Sequence, residues 1–377
     1  MKGSIRPKTW IELSKSAVRS NVALVRSLIG KDAKLFSVVK SNAYGHGLTN
    51  FAALAHAAGV DGFCVDSVIE GVKLRKQEIQ SPILILGPTS KDLLEVAAQN
   101  DLMVTISTQE GLEELNQVSE PQLQPSFHLK IETGMHRQGF EVADLKKALR
   151  YIKKNTLPLK GMYSHFCAAK DIVYQTYTKQ QFDTFMLATT LAESEEFRTL
   201  TKHIAASAGI FQSKKYTLDQ VRAGFILYGY FPTKELATHF SNLEPKPVLS
   251  WHAQISEIKK VKKGEYVGYD LSEKLHRDTT LAVVPVGYWH GVDRRLSKVG
   301  EFLVNGKRAR IVGKVSMDVT VVDVTDISCK RGDVVTLIGK QGKEKITPEE
   351  WELNMENSSR YEILTRINPL IKKEFVQ

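Results

Sequence analysis

Between residues 34 and 225, short apolar runs alternate with longer segments of helical period. The runs Lys34–Lys40, Asp61–Asp66, Pro82–Gly87, Asp101–Ser107, Ser126–Glu132, Leu159–His165, Thr201–Ser207 and Asp219–Ala223 have mostly apolar or small centres (SVV, FCV, ILIL, MVTI, HLKI, GMYS, HIAA, VRA). Runs this short, without apolar–polar alternation, suit strands covered on both faces. The segments between them, such as Thr49–Ala58, Ser90–Gln99, Ala143–Lys153 and Gln175–Ser194, repeat apolar residues at the spacing of one helix face. Eight such strand–helix repeats predict an α/β fold, a closed (β/α)8 barrel of the TIM type.

After Asn242 the texture changes. Glu244-Pro245-Lys246-Pro247 reads as a linker, because each proline biases its predecessor away from helix. Beyond it the β-type runs are Val248–Ile258, Thr280–Gly287, Glu301–Val304, Ala309–Val315, Val319–Val324 and Asp333–Gly339, followed by a short helix near Pro348–Leu353. Val304-Asn305-Gly306-Lys307 carries the Asn-Gly pair favoured in two-residue hairpin turns. A chain of 377 residues exceeds one ordinary core. The expected division is a barrel domain over 1–243 and a mainly β C-terminal domain over 244–377, with the strand Thr9–Leu13 packing on the β domain.

Composition narrows the class. The formal charge is +10, but the lysines are spread along the chain among Asp and Glu. That is not the one-face, aromatic-interleaved pattern of a nucleic-acid surface, so the charge is assigned to solubility and steering. The longest apolar stretches, such as Leu281–Val286, fall far short of the ~20 residues of a membrane-spanning helix. Residues 1–8 are polar and basic, without the apolar core of a secretory leader. Three cysteines, Cys64, Cys167 and Cys329, fit neither a disulfide framework nor a zinc spacing. A cytoplasmic protein without a metal, a nucleic-acid partner or a membrane span is expected.

The first barrel strand ends in Val38-Val39-Lys40-Ser41-Asn42-Ala43-Tyr44-Gly45-His46-Gly47. This puts Lys40 at the C-terminal mouth of the barrel, where active sites of this fold lie. An amine there can be desolvated enough to lose its proton and attack an aldehyde. The two glycines permit a tight turn into the next helix. A lone lysine at a strand end is more often a solvated side chain, so the surrounding string matters.

That string resembles the cofactor-attachment motif of the alanine racemase family, V-V-K-A-N-A-Y-G-H-G, and differs from it only at Ser41. The resemblance runs through both predicted domains. It implies a racemase in which Lys40 holds pyridoxal 5'-phosphate (PLP) covalently and L- and D-alanine are interconverted. Leu129-Lys130-Ile131-Glu132-Thr133-Gly134-Met135-His136-Arg137 is similar to the family's L-K-x-D/E-T-G-M-x-R. It implies Arg137 beside the cofactor's phenolic oxygen and the substrate carboxylate, and a Lys130 that is carbamylated in some members. Gly161-Met162-Tyr163-Ser164-His165-Phe166 resembles G-x-x-T/S-H-F, implying His165 against the pyridine ring.

His203-Ile204-Ala205-Ala206-Ser207 resembles H-x-A-N-S, with Ser207 on the phosphate and alanine in place of the asparagine. Val221-Arg222-Ala223-Gly224-Phe225-Ile226-Leu227-Tyr228-Gly229 resembles V-R-x-G-I-x-L-Y-G. It implies Arg222 at the pyridine nitrogen and Gly224 where backbone approaches the phosphate. Tyr44 and Tyr361 match the family's phosphate-contacting tyrosines.

In the β domain, Tyr269 in Tyr266-Val267-Gly268-Tyr269-Asp270 matches the second catalytic base, although Asp270 replaces a glycine. Tyr288 and Met317 match residues lining the substrate pocket or its entrance, whereas Trp289 and His290 replace a small residue and an aspartate.

The implied chemistry is a two-base racemisation. Lys40 serves one face of Cα and Tyr269 the other, with His203 and Arg222 as the relay that activates the phenol. The resemblance also implies a homodimer, with Tyr269 and Met317 reaching the partner's site, and D-alanine as a peptidoglycan precursor. Three other readings share the lysine. A non-catalytic PLP carrier is shorter and lacks the β domain. A PLP decarboxylase of barrel-plus-β build carries a substrate-binding cysteine motif and a glycine-rich phosphate loop, neither evident here. A racemase of broader substrate range is left open by Ala206, Trp289 and His290.

Overall fold

Each apolar run between residues 34 and 225 forms a strand, and these strands join through parallel ladders in the computed structural model, which describes residues 7–377. After β1 (Thr9–Ser14) come β2 (Lys34–Val38), β3 (Gly62–Val65), β4 (Ile83–Ile85), β5 (Leu102–Ile106), β6 (Phe127–Lys130), β7 (Leu159–Tyr163), β8 (Thr201–His203) and β9 (Gln220–Ala223). The sheet order is β8-β7-β6-β5-β4-β3-β2-β9. Its ends meet where the Arg222 N–H donates to the Ala205 carbonyl (3.0 Å) and the Asp219 N–H to the Lys202 carbonyl (3.2 Å). The barrel is thus nearly closed, as the repeat pattern predicts. Helices such as Leu48–Ala57, Val142–Lys154 and Thr176–Ser194 lie between the strands, each within one or two residues of its expected span.

The barrel interior departs from the usual branched-apolar filling of this fold. Thr105 on β5 bonds the Tyr163 hydroxyl on β7 (2.9 Å), and the Arg222 guanidinium on β9 lies 4.9 Å from the Tyr163 ring centroid. Contacts between non-neighbouring strands must cross the interior, so these polar groups point inward. Burial there requires each to be hydrogen-bonded.

The remaining strands are β10 (Leu249–Gln254), β11 (Glu257–Val261), β12 (Tyr266–Val267), β13 (Glu273–Lys274), β14 (Thr279–Val284), β15 (Glu301–Val304), β16 (Lys307–Arg310), β17 (Thr320–Asp323), β18 (Val334–Gln341), β19 (Glu344–Ile346) and β20 (Lys372–Val376). One sheet runs β16-β15-β18-β10-β1-β20 with β19 on β18, and another runs β11-β14-β17. The single strand expected over Val248–Ile258 is two strands in different sheets. The chain changes partners at one step: the Ile255 N–H donates to Asp333 O and the Ser256 N–H to Val283 O, each at 2.9 Å. Thr9–Ser14 pairs antiparallel with β10 and parallel with β20.

The chain divides into two compact units. One holds Ser16–Ser41 and Leu48–Lys246. The other holds residues 7–15, Asn42–Gly47 and Pro247–Gln377. The short piece 42–47 joins the second because Gly45 packs on the helix Arg360–Thr365. A Cβ at Gly45 would stand 2.0 Å from the Leu364 carbonyl oxygen.

Candidate active site

The turn after β2 carries Lys40. Ser41, Asn42, Ala43 and Tyr44 have φ of 55°, 56°, 50° and 52°, followed by Gly45 at 86° and Gly47 at 91°. The chain therefore makes a left-handed helical turn, where the sequence suggested only a glycine-permitted tight turn. Such backbone costs about 1–2 kcal/mol for each residue with a Cβ and must be held by its surroundings. The Gly45 and Gly47 N–H groups both donate to the Asn42 carbonyl (3.1 and 3.0 Å), and that of His46 to Ala43 O (3.0 Å). The buried His46 ring bonds the Ala43 and Tyr44 carbonyls through Nδ1 (3.1 and 3.2 Å).

Lys40 Nζ pairs with Asp66 Oδ1 at 3.1 Å. The Glu70 carboxylate fixes both partners' backbones, accepting the Ser41 and Asp66 N–H groups at 2.8 Å each. The Lys40 side chain is 36% exposed and that of Asp66 52%. The amine is thus half-open and ion-paired, not desolvated as the strand-end reading expected.

The ends of β6 and β7 place Lys130, Arg137, Gln138, Ser164 and His165 around one recess. Glu132 has its carboxylate consumed by this turn: it accepts the N–H groups of Gly134 (2.5 Å), Met135 (2.6 Å) and Arg137 (3.2 Å). Those bonds outweigh burial and lower its pKa below the ordinary range. Lys130 is buried, with Nζ donating to Gln138 Oε1 (3.2 Å). Burial first, then the charges of Arg137 and Arg222, bring its amine down to about 8.

Behind the recess lies Arg222, 2% exposed. Its Nη2 donates to the Ser164 carbonyl (2.7 Å) and the Ile204 carbonyl (3.1 Å), and meets His165 Nδ1 at 3.3 Å; its Nη1 donates to His203 Nδ1. Burial lowers the guanidinium pKa, yet arginine remains protonated in proteins. Burial, then the cations Arg222, Arg137, Lys130 and Lys40, push His165 down to about 3, so its imidazole is neutral. Because Nδ1 faces a donor, His165 Nε2 carries the proton and can only donate.

His203 has both ring nitrogens occupied, by Arg222 and by His128, and is fully buried. It therefore cannot act directly on a phenol from outside, as the resemblance had it. The half-buried histidine bonded to Arg222 is His165.

At the β8 and β9 ends, the Gly224 N–H donates to Ser207 Oγ (3.0 Å). The amide expected to approach a phosphate is thus already engaged. The Ser207 hydroxyl hydrogen is left for a further acceptor. Ala206, where the family pattern has an asparagine, interacts through its backbone, with a bridge to Arg222 and its carbonyl accepting the Ile210 N–H (3.1 Å).

In the second unit, the rings of Tyr44 and Tyr361 lie 6.2 Å apart. Burial raises the Tyr361 pKa. Tyr269, Tyr288, Trp289 and Met317 are 67%, 44%, 57% and 55% exposed. The Tyr288 and Trp289 N–H groups donate to Ser316 O and Met317 O (3.0 Å each), which sets these three side chains on adjoining backbone. His290 turns inward and accepts the Gly287 N–H at Nδ1 (3.2 Å), so its imidazole serves the turn rather than an entrance.

The first unit thus brings together Lys40, Lys130, Arg137, His165, His203 and Arg222. Sequence reading passed over Asp66, Glu70, His128, Gln138 and Tyr163. For His128 and Tyr163 a signal existed: each is an aromatic side chain with a polar tip inside a run read as a strand covered on both faces.

The family model described as alanine racemase, N-terminal domain, matches residues 13–232, and that of the alanine racemase C-terminal domain matches residues 248–375. The alanine racemase of Leptospira interrogans serovar Lai is 34% identical over 373 residues, 97% of this chain and 95% of the relative. Alanine racemase 1 of Caldanaerobacter subterraneus is 34% identical over 375 residues, covering 98% and 95%. The crystal structure of alanine racemase from Bacillus anthracis with bound L-Ala-P is similar with a TM-score of 0.93 at 32% identity, covering 100% of this chain and 96% of that one. The alanine racemase structure from E. faecalis is similar with a TM-score of 0.91 at 29% identity, over the whole of both chains.

Proposed function

The chain belongs to the alanine racemase family, and from that premise we propose that it interconverts L- and D-alanine with PLP attached to Lys40. The observation that carries the proposal is the charge of the barrel mouth. Lys40, Lys130, Arg137 and Arg222 all act on His165 as cations. The nearby carboxylates are already spent, Asp66 on Lys40 and Glu132 on backbone N–H groups. Such a mouth calls for anions, and a phosphorylated, phenolic cofactor with a carboxylate substrate supplies them. A lysine amine at the rim completes a donor set that fits PLP.

Lys40 would hold the aldehyde carbon, and Ser207, Tyr44 and Tyr361 the phosphate. Gly224 contributes by fixing the Ser207 oxygen so that its hydroxyl donates outward. Arg222 would meet the ring nitrogen and His165 the ring face. Bound PLP supplies an electron sink that acidifies the Cα–H of an attached amino acid. The rest falls to the chain's own groups. Arg222 offers only N–H donors and keeps its proton, so it orients a nitrogen without protonating it. Arg137 would orient the substrate carboxylate by charge-assisted hydrogen bonds, and Tyr288 and Met317 would bound the space open to its side chain.

Two bases on opposite faces fit a racemisation: Lys40 takes or returns the proton on one, and Tyr269 on the other. A phenol with a reference pKa of about 10 needs help to act as a base near neutrality. His165 is suited to that part, since its Nε2–H can only donate and so favours the phenolate. Its Nδ1 is held by Arg222, and His203 supports Arg222 from within.

The exposed apolar set Tyr266, Tyr269, Leu271, Tyr288, Trp289 and Met317 supports a homodimer in which these residues are covered and Tyr269 and Met317 serve the partner's site. The free cysteines suit a reducing cytoplasm, and D-alanine for cell-wall synthesis is the role the family suggests. No helix among the described residues is long and apolar enough to cross a membrane.

The test is incubation of the protein and PLP with L-alanine, read by chiral chromatography. Enantiomers have equal free energies in an achiral solvent, so the mixture should approach equal amounts of both. No D-alanine overturns the proposal. Ala206 and the exposed Trp289 favour a second reading, a wider substrate range, and a panel of L-amino acids in the same assay decides it.

A further inference from the structure

His128 and His203 are 3% and 0% exposed, so their ring nitrogens must find protein partners. Arginine N–H groups only donate, so His203 Nδ1, which faces Arg222 Nη1, presents a lone pair. A neutral imidazole then carries its one proton on Nε2, and His203 Nε2 donates to His128 Nδ1, 2.8 Å away. His128 Nδ1 is therefore bare, and its own proton sits on Nε2. Protonating either ring would set two N–H groups face to face. Burial and the Arg222 charge act the same way, bringing His128 down to about 3 and His203 well below its ordinary value. The chain of donors runs in one direction, from Arg222 to His203 to His128.

The reach from His128 to His203 is built into the barrel. His128 lies on β6 and His203 on β8, with β7 between them. The β7 residue in register with His128 is Gly161. A Cβ there would stand 2.6 Å from His128 Cε1 and 2.7 Å from Nδ1, so glycine opens the passage. Two residues on, Tyr163 stacks flat on His203 at 4.8 Å with an interplanar angle of 3°. His203 is thus held in its plane by Tyr163 and along one edge by His128, leaving the other edge to Arg222. An imidazole that donates at one nitrogen is a better acceptor at the other, because linked hydrogen bonds polarise one another.

We propose that His128 is a positioning residue for the racemase site, setting the tautomer and basicity of His203 and through it the placement of Arg222. The inference rests on reading Arg222 as a cofactor contact. Its test has a readout that does not depend on turnover. Imidazole 15N spectra of the PLP-loaded chain should show His203 and His128 each protonated at Nε2 only, unchanged across neutral pH. In His128→Asn the amide oxygen takes the place of Nδ1 and should preserve the His203 tautomer; His128→Leu removes the acceptor. Partners that orient metal-ligating histidines are worth about 10–100-fold in activity, and by that analogy kcat should fall about 10–100-fold in His128→Leu and recover most of the way in His128→Asn.

Wild-type His203 protonated at Nδ1, or a positive ring, overturns the proposal. Equal kcat in the two variants also overturns it. Should His128→Leu fail to fold, the wild-type tautomers decide alone. A chain with the expected tautomers that racemises nothing refutes the activity and leaves the relay standing. One that racemises alanine with the wrong tautomer refutes only the relay.

Discussion

The amine of Lys40 lies 3.1 Å from the Asp66 carboxylate, and Glu70 holds the backbone N–H groups of both Asp66 and Ser41, the residue that follows the lysine. The lysine is therefore aimed by the chain itself, and the aldehyde of the proposed cofactor would have to take it from Asp66.

Cofactor attachment should answer to both residues. Lys40→Ala should leave no covalently bound PLP after borohydride reduction and peptide mapping, and no racemisation. Exposed ion pairs are worth about 0–1 kcal/mol, so Asp66→Asn should speed attachment by at most about fivefold. A modified lysine other than Lys40 in the wild-type map refutes the assignment.

Tyr269→Phe separates the two faces of Cα. Removing a general base costs about 10²–10⁴-fold. In deuterated water, loss of the Cα hydrogen should persist from the enantiomer served by Lys40 and collapse from the other. An equal, small loss from both would count against Tyr269 as the second base.

Lys130 should make stability depend on pH. Its amine falls from 10.5 to about 8 on folding, so between those values the unfolded chain binds more protons. Stability then rises with pH through this window, by at most about 3 kcal/mol for a shift of this size. Urea unfolding of the wild type against Lys130→Met checks the slope, which the variant should lose.

Gly45 and Gly30 give a controlled pair. Both have positive φ, 86° and 85°, but a Cβ at Gly30 meets nothing within 4 Å whereas one at Gly45 meets the Leu364 carbonyl at 2.0 Å. Gly30→Ala should cost about 1–2 kcal/mol through its backbone alone. Gly45→Ala should cost at least about 3 kcal/mol, because backbone must move. Equal losses in denaturant midpoint would show that conformation, not crowding, decides both.

The barrel was legible because its signal is local and repeated: short apolar strands separated by helical periods. The residues at the strand ends were legible because a motif places them there. Less legible was everything set by what lies opposite. Val248–Ile258 reads as one strand, since nothing in an apolar run marks where Asp333 gives way to Val283 as its partner. Lys372–Val376 carries little apolar pattern and is a strand because β1 lies beside it.

By itself, the sequence determined the fold class and the family, for these depend on periodicity and on the order of residues along the chain. Tertiary structure decided the state of the groups. Asp66 and Glu70 reach Lys40 from a neighbouring strand end, Gly161 opens the way from His128 to His203, and the facing partners Arg222 and His128 together leave His203 its Nε2 to hold the proton. Those are properties of burial and of facing partners, and residues far apart in the chain become partners only when the barrel closes.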